Sequence, residues 1–462
     1  MNLDTSNKQE CKKILKELVS IMNSKAQYSD VLVMEVSELS VTKDFATADV
    51  SNAGELGIKM RAFDGEKFFE KFTTNLGYDN LRNTARELAK EIKTINPRIK
   101  IADERLEKHF SDKPEINADK VSLAKKVVVI EKTLEMMKKQ KHLRNARVIY
   151  EEGKIFKIFC SKNRFLTQKL SKVLALCYAM VQSETGELRY CFEHAFRPGF
   201  EATAGIAKLA QKASEEAKKL IRAKKVTPGK YHCILGPAIT GLLAHESFGH
   251  GMESDTVYKQ RALAKDWIGK RIASNFVSIV DDPSMKNCNG SYYFDDEGQV
   301  SKPTYLVKDG IVNDYITEML TSHKLKARRS ANGRCESFDH KSYARMSVTF
   351  FAKGKSNFKD MIKKVKDGFF LYGRGGGMED PKGWGVQIQG NTVQRIKNGK
   401  LVDEYYDDVG ITGYLPAILG DIKEVSKEFE ITSIGRCGKG HKEWVPVSEG
   451  GPYLRIENLD LA

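Results

Sequence analysis

Two histidines and a glutamate stand close together in an apolar stretch, and these residue types are the usual parts of a metal-dependent hydrolytic site. The stretch is His245-Glu246-Ser247-Phe248-Gly249-His250. Imidazole nitrogens bind zinc, and a carboxylate beside the metal takes a proton from water. In the familiar zinc helix H-E-x-x-H, the histidines are four residues apart and share one helix face. The segment therefore predicts a metal centre with one irregularity.

The irregularity is the spacing of the two histidines, which here are five residues apart. On a regular α-helix, five residues rotate the second histidine by roughly 140° from the first, so both cannot reach one ion. The extra residue must be absorbed by a π-bulge or by the end of the helix. Gly249 and Gly251 flank His250, and glycine tolerates the backbone angles that such a break needs. We predict a bulge or break near Gly249; the alternative is that His245 and His250 are two buried structural histidines.

A catalytic zinc site needs three protein ligands and one open position. The candidates for the third ligand are Glu253, Asp255, Cys437 and His441. Carboxylates after a helix end, such as Glu253, are usually solvated or cap another element. Cys437 lies in a glycine-rich segment that we interpret as a loop, and its neighbours Arg436 and Lys439 would favour a thiolate. A single cysteine can also be a small buried apolar residue, so the third ligand stays open at this point.

The elements that must position these residues follow from the hydrophobic pattern. The helix that begins after Gly236-Pro237 is apolar nearly all round up to His245, which predicts that it is buried. Earlier helices are predicted at 6–23, 79–95, 118–139 and 202–224. Strands are predicted at 28–41 and within 146–192, and a hairpin at 57–72 that turns at Asp64-Gly65. After the helix the pattern is mostly extended, with a strand at 231–235 before it and hairpin turns at Asp309-Gly310 and Asn398-Gly399.

These patterns predict an α+β fold of two domains. Residues 1–225 form an N-terminal domain of helices and sheet. Residues 226–462 form a mostly antiparallel β domain that carries the metal helix. A chain of 462 residues is too long for one ordinary core, which also favours two domains.

Composition narrows the class of protein. No apolar run approaches the ~20 residues of a membrane-spanning helix, and no signal-peptide pattern opens the sequence, so we expect a cytoplasmic protein without a membrane contact. The eight cysteines include no C-x-x-C pair, which favours reduced thiols. The net charge of +15 would suit a nucleic-acid surface. The lysines are, however, interleaved with glutamates along the whole chain, which is more typical of a solvated surface.

The segment HESFGHGMESD from His245 resembles the signature of the TldD/PmbA family of metallopeptidases. Other segments, in the same order along the chain, are similar to further family motifs. They are GIKMRAFDGEKFF from Gly57, FDDEG from Phe294, YLVKDGIVNDYI from Tyr305, NGRCES followed by ARMS, GGGMED from Gly375, and the late IGRCGKG. The resemblance thus extends along most of the chain.

The resemblance implies a site and a function. TldD-type chains keep H-E-x-x-x-H and a late cysteine, whereas PmbA-type chains lack these residues and act as partners. The family then implies Zn²⁺ held by His245, His250 and Cys437, with Glu246 as the general base. It implies hydrolysis of short or unfolded peptides, and a homodimer or a heterodimer with a PmbA-like chain. His441 departs from the glutamine common in the family, and Ser342 and Val348 depart from a usual proline and asparagine.

We therefore expect a zinc-dependent metallopeptidase. Arg345 is a candidate donor to the oxyanion, with a structural ion pair as the alternative. The strands around Gly375 would pair with an extended peptide by strand addition. Two other functions are compatible with the sequence: a basic, nucleic-acid-associated regulator, and a metal-bearing scaffold that stabilises a PmbA-like partner without cleaving anything.

Overall fold

The computed structural model describes residues 2–93, 99–439 and 443–462. Among these residues it contains two large β-sheets, one in each half of the chain, with helices packed on both. The fold class is therefore α+β, as predicted. The predicted domain boundary at 225–226 stays a prediction.

The first half of the chain contains four α-helices and seven strands among the described residues. In chain order they are α1 (Lys8–Asn23), β1 (Tyr28–Asp44), β2 (Ala48–Phe63), β3 (Phe68–Thr73), α2 (Tyr78–Glu91), β4 (Leu106–Ser111), α3 (Leu123–Lys138), β5 (Asn145–Ser161), β6 (Arg164–Gln182), β7 (Leu188–Arg197) and α4 (Ile206–Lys219). The strand order is β3-β2-β1-β5-β6-β4, and β7 also pairs with β6. Apolar faces of α1 and α2 pack on one end of this sheet, and α3 and α4 pack on the other.

The sequence predicted these elements closely. The hairpin at Asp64-Gly65 is formed by β2 and β3, and Gly65 has a φ of 102°, a conformation that favours glycine. The helix predicted at 202–224 is divided into a 3₁₀ turn (Phe200–Thr203), α4 and a second 3₁₀ turn (Leu220–Arg222). The predicted end of the 79–95 helix, Ile95, lies outside the described residues.

The second half begins with β8 (Gly229–Leu235) and α5 (Pro237–Leu242). The later elements are α6 (Ser254–Tyr258), β9 (Ile279–Asp281), β10 (Thr304–Lys308), β11 (Ile311–Val312), α7 (Met319–Lys324), β12 (Gly333–Arg334), β13 (Tyr343–Ala344), β14 (Val348–Phe351), α8 (Phe358–Lys363), β15 (Asp367–Asp380), β16 (Gly385–Lys397), β17 (Lys400–Tyr406), β18 (Val409–Tyr414), α9 (Leu415–Gly420), β19 (Ile422–Lys439) and β20 (Glu443–Leu461). The two predicted hairpins are β10–β11 and β16–β17.

The second sheet closes on itself around the helix that carries the histidines. Its path runs β11-β10-β9-β14-β20-β18-β16-β15-β8, and β8 pairs again with β20. Most pairings are antiparallel; β14–β20 and β8–β15 are parallel. Helix α5 packs against β15 and β20 so closely that a Cβ on Gly241 would lie 2.4 Å from the backbone nitrogen of Gly450. Among the described residues, none of the helices combines the length and the apolar character that crossing a bilayer requires.

A buried ion triad joins the two halves of the chain. Arg61 on β2 donates to both carboxylate oxygens of Asp30 at 2.9 and 2.7 Å, and to Glu297 of the second half at 2.6 Å. The three side chains are buried, with exposures of only 1–2%. Removing one member would leave an uncompensated buried charge, which is more costly than losing the pair itself.

We expect Arg61→Met to lower the free energy of unfolding by about 3–5 kcal/mol, because Asp30 would then be buried without its counter-charge and Glu297 would keep only Arg329, at 4.0 Å. Chemical denaturation of the full chain measures this. The control is Arg86→Met, an exposed arginine with one local hydrogen bond, which should change stability by less than about 0.5 kcal/mol. Equal midpoints for Arg61→Met and the parent chain would contradict the role assigned to the triad.

Candidate metal centre

The helix changes its winding where the histidines stand. After α5, residues Leu243–Gly249 form a π-helix, and a 3₁₀ turn follows at His250–Met252. The backbone N–H of His250 donates to the carbonyl of His245, five residues earlier, which is the hydrogen bond that defines a π-helix. The wider turn brings position i+5 back over position i. The predicted bulge is therefore present, and the regular helix ends there as well.

The glycines of this segment serve a different purpose from the one predicted. Gly249 has φ −59° and ψ −49°, ordinary helical angles open to any residue. Its need for glycine is steric, because a Cβ would lie 2.0 Å from the sulfur of the buried Met346. Likewise, a Cβ on Gly377 of β15 would lie 2.7 Å from Cγ of Glu246. Close packing of neighbouring elements on the π-helix, rather than unusual dihedral angles, requires these glycines.

Three predicted ligands come together at this point. One donor atom each from His245, His250 and Cys437 lies within 4.8 Å of the others. The sulfur of Cys437 is 3.5 Å from Nε2 of His250. The two imidazole rings are nearly perpendicular, with centroids 5.2 Å apart. His245 is 2% exposed and Cys437 is 4% exposed, so the cluster is buried apart from the half-buried His250.

Cys437 is held by a strand and not by a loop as the glycine content suggested. It lies on β19 opposite Val445 of β20, and Nη2 of Arg345 donates to its backbone carbonyl at 2.6 Å. Arg436 and Lys439 were predicted to stabilise its thiolate, but the largest stabilising effects come from the two histidines. Burial alone would raise the pKa of Cys437, but the two neighbouring histidines outweigh burial and hold it well below its usual value.

The histidines respond to the same interaction. Burial disfavours their charged forms, but the Cys437 thiolate outweighs it and raises the pKa of His245 to about 9. The pKa of His250 is raised well above its usual value for the same reason, with a contribution from Glu253. These pKa shifts favour protons on the imidazole nitrogens and a negative charge on the sulfur. The pKa values of His245, His250 and Cys437 thus depend on one another, and the three side chains offer two imidazole nitrogens and one sulfur as metal donors.

Glu246 lies beside the donor cluster on the π-helix. Its Oε2 is 3.8 Å from Nε2 of His250, and its side chain is 22% exposed, so it is accessible to solvent. Burial raises the pKa of Glu246, while His245 and His250 oppose that rise. This carboxylate is the one acid of the predicted site that both touches the cluster and remains open.

Each histidine has a buried carboxylate behind it. Nδ1 of His245 is 3.8 Å from Glu449, whose carboxylate accepts from Arg374 at 2.5 and 2.8 Å. Nδ1 of His250 is 3.4 Å from Glu253. Such carboxylate–histidine pairs orient a ligating ring and fix which nitrogen faces the metal.

The environment of Glu253 corrects one prediction and bears on a second. Glu253 and Asp255 are buried rather than solvated. Both form ion pairs with Lys439, whose Nζ is 3.0 Å from the Glu253 carboxylate and 2.6 Å from that of Asp255. Arg345 is 1% exposed, lies 3.7 Å from Glu253 and donates to the carbonyls of Cys437 and Glu443. It thus has the structural role that was the alternative to an oxyanion donor. His441 lies outside the described residues.

Sequence reasoning missed Glu379. Both of its carboxylate oxygens are buried and lack a hydrogen-bond partner within the described part of the chain. Burial raises its pKa to about 8, with His250 opposing that rise and Glu253 and Glu246 adding to it. A Cβ on Gly251 would lie 3.9 Å from its Oε2. The motif GGGMED contains this residue and was the available signal, but the motif alone assigned it no role.

Known proteins resemble the half of the chain that carries this cluster. Residues 228–462 match the family model of the PmbA/TldA metallopeptidase C-terminal domain. The chain belongs to the TldD/PmbA family of metallopeptidases. A metalloprotease of Methanocaldococcus jannaschii is 35% identical over 276 residues, which are 60% of this chain and 60% of that protein. A zinc metalloprotease TldD homolog of Saccharolobus solfataricus is 30% identical over 239 residues, 50% of this chain and 52% of that protein.

The matched regions thus span half to three fifths of these curated relatives. Solved structures cover nearly the whole chain at lower identity. A Thermotoga maritima protein described as a proposed modulator of DNA gyrase has a TM-score of 0.80, 18% identity, and coverage of 97% of this chain and 99% of its own. TldE from Thermococcus kodakarensis has a TM-score of 0.77 and 14% identity over 97% of this chain and 100% of its own. These structures establish that the fold of the TldD/PmbA family is shared.

We expect Gly249→Ala to lower the free energy of unfolding by about 1–3 kcal/mol through overpacking against Met346. An alanine in an unhindered helix would instead be favourable by about 1 kcal/mol. Gly376→Ala is the matched control, because a Cβ there meets nothing within 4 Å. A double-mutant cycle with Met346→Ala decides the cause. If the cost of Gly249→Ala stays the same without the methionine sulfur, steric packing is not why glycine stands there.

Proposed function

We propose that this chain is a zinc peptidase in which His245, His250 and Cys437 bind the ion and Glu246 is the general base. The observation that carries the proposal is the convergence of two imidazole nitrogens and one sulfur within 4.8 Å, beside an accessible carboxylate. Two nitrogens and a thiolate form a recognised donor set for a catalytic zinc with one open position. The name of the Saccharolobus solfataricus relative supports zinc for that protein.

The donor set fits zinc in its charge as well as its chemistry. The two histidines hold the pKa of Cys437 well below its usual value, which favours the thiolate form that zinc binds. Zinc would displace the protons from the imidazoles and take over their role as the positive partner of the sulfur. Behind the rings, Glu253 lies within hydrogen-bond distance of Nδ1 of His250, at 3.4 Å. Glu449 lies 3.8 Å from Nδ1 of His245, so a small movement on zinc binding would let it accept from that N–H group as well.

In the proposed mechanism, zinc supplies a Lewis acid that polarises the scissile carbonyl and acidifies water. Glu246 accepts the proton of the attacking water and delivers it to the leaving amine. Its partial exposure and its raised pKa suit a group that must gain and lose a proton during each turnover. The packing of Gly377 against its side chain fixes the direction of the carboxylate.

Peptides are the proposed substrates, bound in extended form along β15. This strand pairs with β8 only over Gly368–Leu371, so its continuation through Gly375–Gly377 is left uncovered by β8. Gly377 contacts Glu246, and a Cβ on Gly376 would meet only open space. A peptide added to this edge would pass the general base and would be recognised by its backbone, which favours short or unfolded substrates.

A second chain of the same family is the proposed partner, as a homodimer or as a heterodimer with a PmbA-like chain. Met378, next to Glu379 on β15, has 67% of its surface exposed, and Tyr414 on β18, which is separated from β15 by β16, is 47% exposed. Exposed apolar side chains close to a reaction centre are typical of surfaces that another chain covers. Light scattering of the purified protein measures the assembly.

We expect about one zinc ion per chain in freshly purified, reduced protein, and hydrolysis of unfolded peptides that chelators abolish. Glu246→Gln should keep the zinc and lose activity by a factor on the order of 10²–10⁴, because it removes the base and not a ligand. Cys437→Ser should lose zinc and activity together. Glu430→Gln, a change on the same strand away from the cluster, is the control. Zinc-free fresh protein, or full activity in Glu246→Gln, would refute the peptidase.

These measurements also separate the alternatives. A metal-bearing scaffold would bind zinc and a PmbA-like chain without hydrolysing any peptide. A nucleic-acid-associated regulator, which the net charge of +15 permits, would bind DNA with a steep dependence on salt concentration.

The carboxylates behind the histidines should strengthen zinc binding. Glu253→Gln and Glu449→Gln should each weaken it by about 10- to 100-fold, because the rings lose their orienting acceptors. Competition with a chromophoric chelator measures the affinity. Glu253 also forms an ion pair with Lys439, so Glu253→Gln should lower the stability of the fold as well. Thermal unfolding of the zinc-free protein measures this loss of stability separately from the loss of zinc affinity. Unchanged zinc affinity in both variants would contradict an orienting role.

A further inference from the structure

A cavity of about 490 Å³ lies between the first sheet and the second half of the chain, away from the histidine cluster. Its floor is formed by alternate residues of β1, β2, β5 and β6, which therefore share one face of the first sheet. Its roof comes from segments around Asp295, Glu336 and Arg436. The volume falls within the range of small-molecule sites.

The basic side of this cavity holds three cations without a carboxylate partner. Arg334, Lys172 and Arg436 line the cavity, and none of them has an acidic oxygen within 4 Å among the described residues. Arg334 is 7% exposed and donates only to the carbonyls of Met346 and Pro446. A buried cation normally has a counter-charge, so this side of the cavity is suited to an anion.

The pKa of Lys172 also indicates an excess of positive charge on this side of the cavity. Burial and the nearby Arg334 and Lys157 lower the pKa of Lys172 to about 7. Lys157 is neutralised by Asp296, but Lys172 donates to a backbone carbonyl, that of Asn289. A carboxylate placed between Lys172 and Arg334 would satisfy both.

The opposite side of the cavity is acidic. Glu38 and Glu55 stand on β1 and β2, and Glu336 and Asp339 face them from the roof. Burial raises the pKa of Glu55, and Asp339, Glu38 and Glu336 add to that rise. His340 pairs with Asp339 and Glu336, whereas Glu38 and Glu55 have no cation within 4 Å among the described residues. This side is suited to an ammonium group.

The strand register sets the distance between the two sides. Glu38 is paired with Gly153, and Gly153 with Lys172, so the acid and the base share one row and are two strands apart. Two strand spacings are about 10 Å. A Cβ on Gly153 would meet nothing within 4 Å, so the space between the two charges is open. The next row supplies an apolar floor of Val36, Ile155 and Leu170.

We propose that this cavity binds a short zwitterionic peptide, with its carboxylate at Lys172, Arg334 and Arg436 and its amino group at Glu38 and Glu55. An extended chain covers about 3.3–3.6 Å per residue, so about three residues match the ~10 Å between the charges. The apolar floor contacts the middle of the peptide. This site is distinct from the proposed catalytic one, because Arg436 and Cys437 are consecutive on β19 and their side chains point to opposite faces.

The test is a calorimetric titration of the full zinc-loaded chain, in wild-type and Glu246→Gln forms, with trialanine, N-acetyl-trialanine and trialanine amide. The free peptide should bind, equally in both forms. Either cap should weaken binding by about tenfold or more, the loss expected for one charge-assisted hydrogen bond. Because the readout is binding, failure of the peptidase proposal would leave this result intact.

Variants at the two sides make the assignment specific. Lys172→Gln and Arg436→Gln should weaken trialanine about tenfold but leave the already weakened trialanine amide unchanged. Glu55→Gln should do the same for the acetylated peptide. Arg436 and Glu55 are exposed, so their variants should fold even if Lys172→Gln does not. The controls are Arg222→Gln and Glu184→Gln, a surface pair elsewhere.

Three results would overturn the proposal. They are no binding of trialanine at millimolar concentration, capped peptides that bind as tightly as the free one, and binding that Glu246→Gln removes while Arg436→Gln and Glu55→Gln do not. The last would assign the titrated site to the histidine cluster instead of the cavity.

Discussion

The hydrogen bond from the N–H of His250 to the carbonyl of His245 is the constraint on which the site depends. With a regular helix, the two rings would point roughly 140° apart and the cysteine on β19 would meet only one of them. The π-turn brings both rings to the same side. Its cost is a wider turn with poorer hydrogen-bond geometry, and its neighbours pack without spare room: Met346 lies directly on Gly249, and Gly377 lies directly on Glu246. The closed second sheet holds this unfavourable winding in place.

Side chains of alternating charge surround the donor cluster, and they stabilise the arrangement of His245, His250 and Cys437 that the π-turn makes possible. The thiolate of Cys437 is balanced by the imidazoles, the imidazoles by Glu449 and Glu253, and those carboxylates by Arg374 and Lys439. Each layer carries the charge opposite to that of the layer inside it, which offsets the cost of burying the ionised groups of the cluster. Arg345 adds a backbone restraint by donating to the carbonyl of Cys437. The cluster is therefore preorganised by partners that the ligand motif itself does not contain.

Residue spacing was sufficient to predict many of the helices and hairpins and the irregular helix at the site. Period-two and period-3.6 patterns located helices and hairpins. The five-residue spacing of the histidines predicted a distorted helix on the condition that both rings bind one ion. What could not be predicted depends on contacts between distant segments. Glycine at 249 was attributed to backbone angles, because nothing local announces the sulfur of Met346. Glu253 and Asp255 looked like solvated acids, because Lys439 is far away in the sequence. A glycine-rich run suggested a loop at Cys437, but pairing with β20 makes it a strand.

Strand β19 contributes one residue to the proposed metal site and the adjacent residue to the proposed peptide cavity. Cys437 turns toward the histidines, and the adjacent Arg436 turns toward the cavity between the two halves. The period of two in a strand makes this separation unavoidable, since consecutive side chains cannot share a face. The same strand is pinned by Arg345 at the carbonyl of Cys437, and Arg334 on the adjoining wall is fixed by the carbonyl of Pro446 on β20. A ligand that moved Arg436 would therefore act on a backbone already restrained on both sides. The geometry therefore favours a metal centre and a peptide cavity that lie on opposite faces of β19 and bind their ligands independently. It does not favour a cavity whose occupation changes the metal centre.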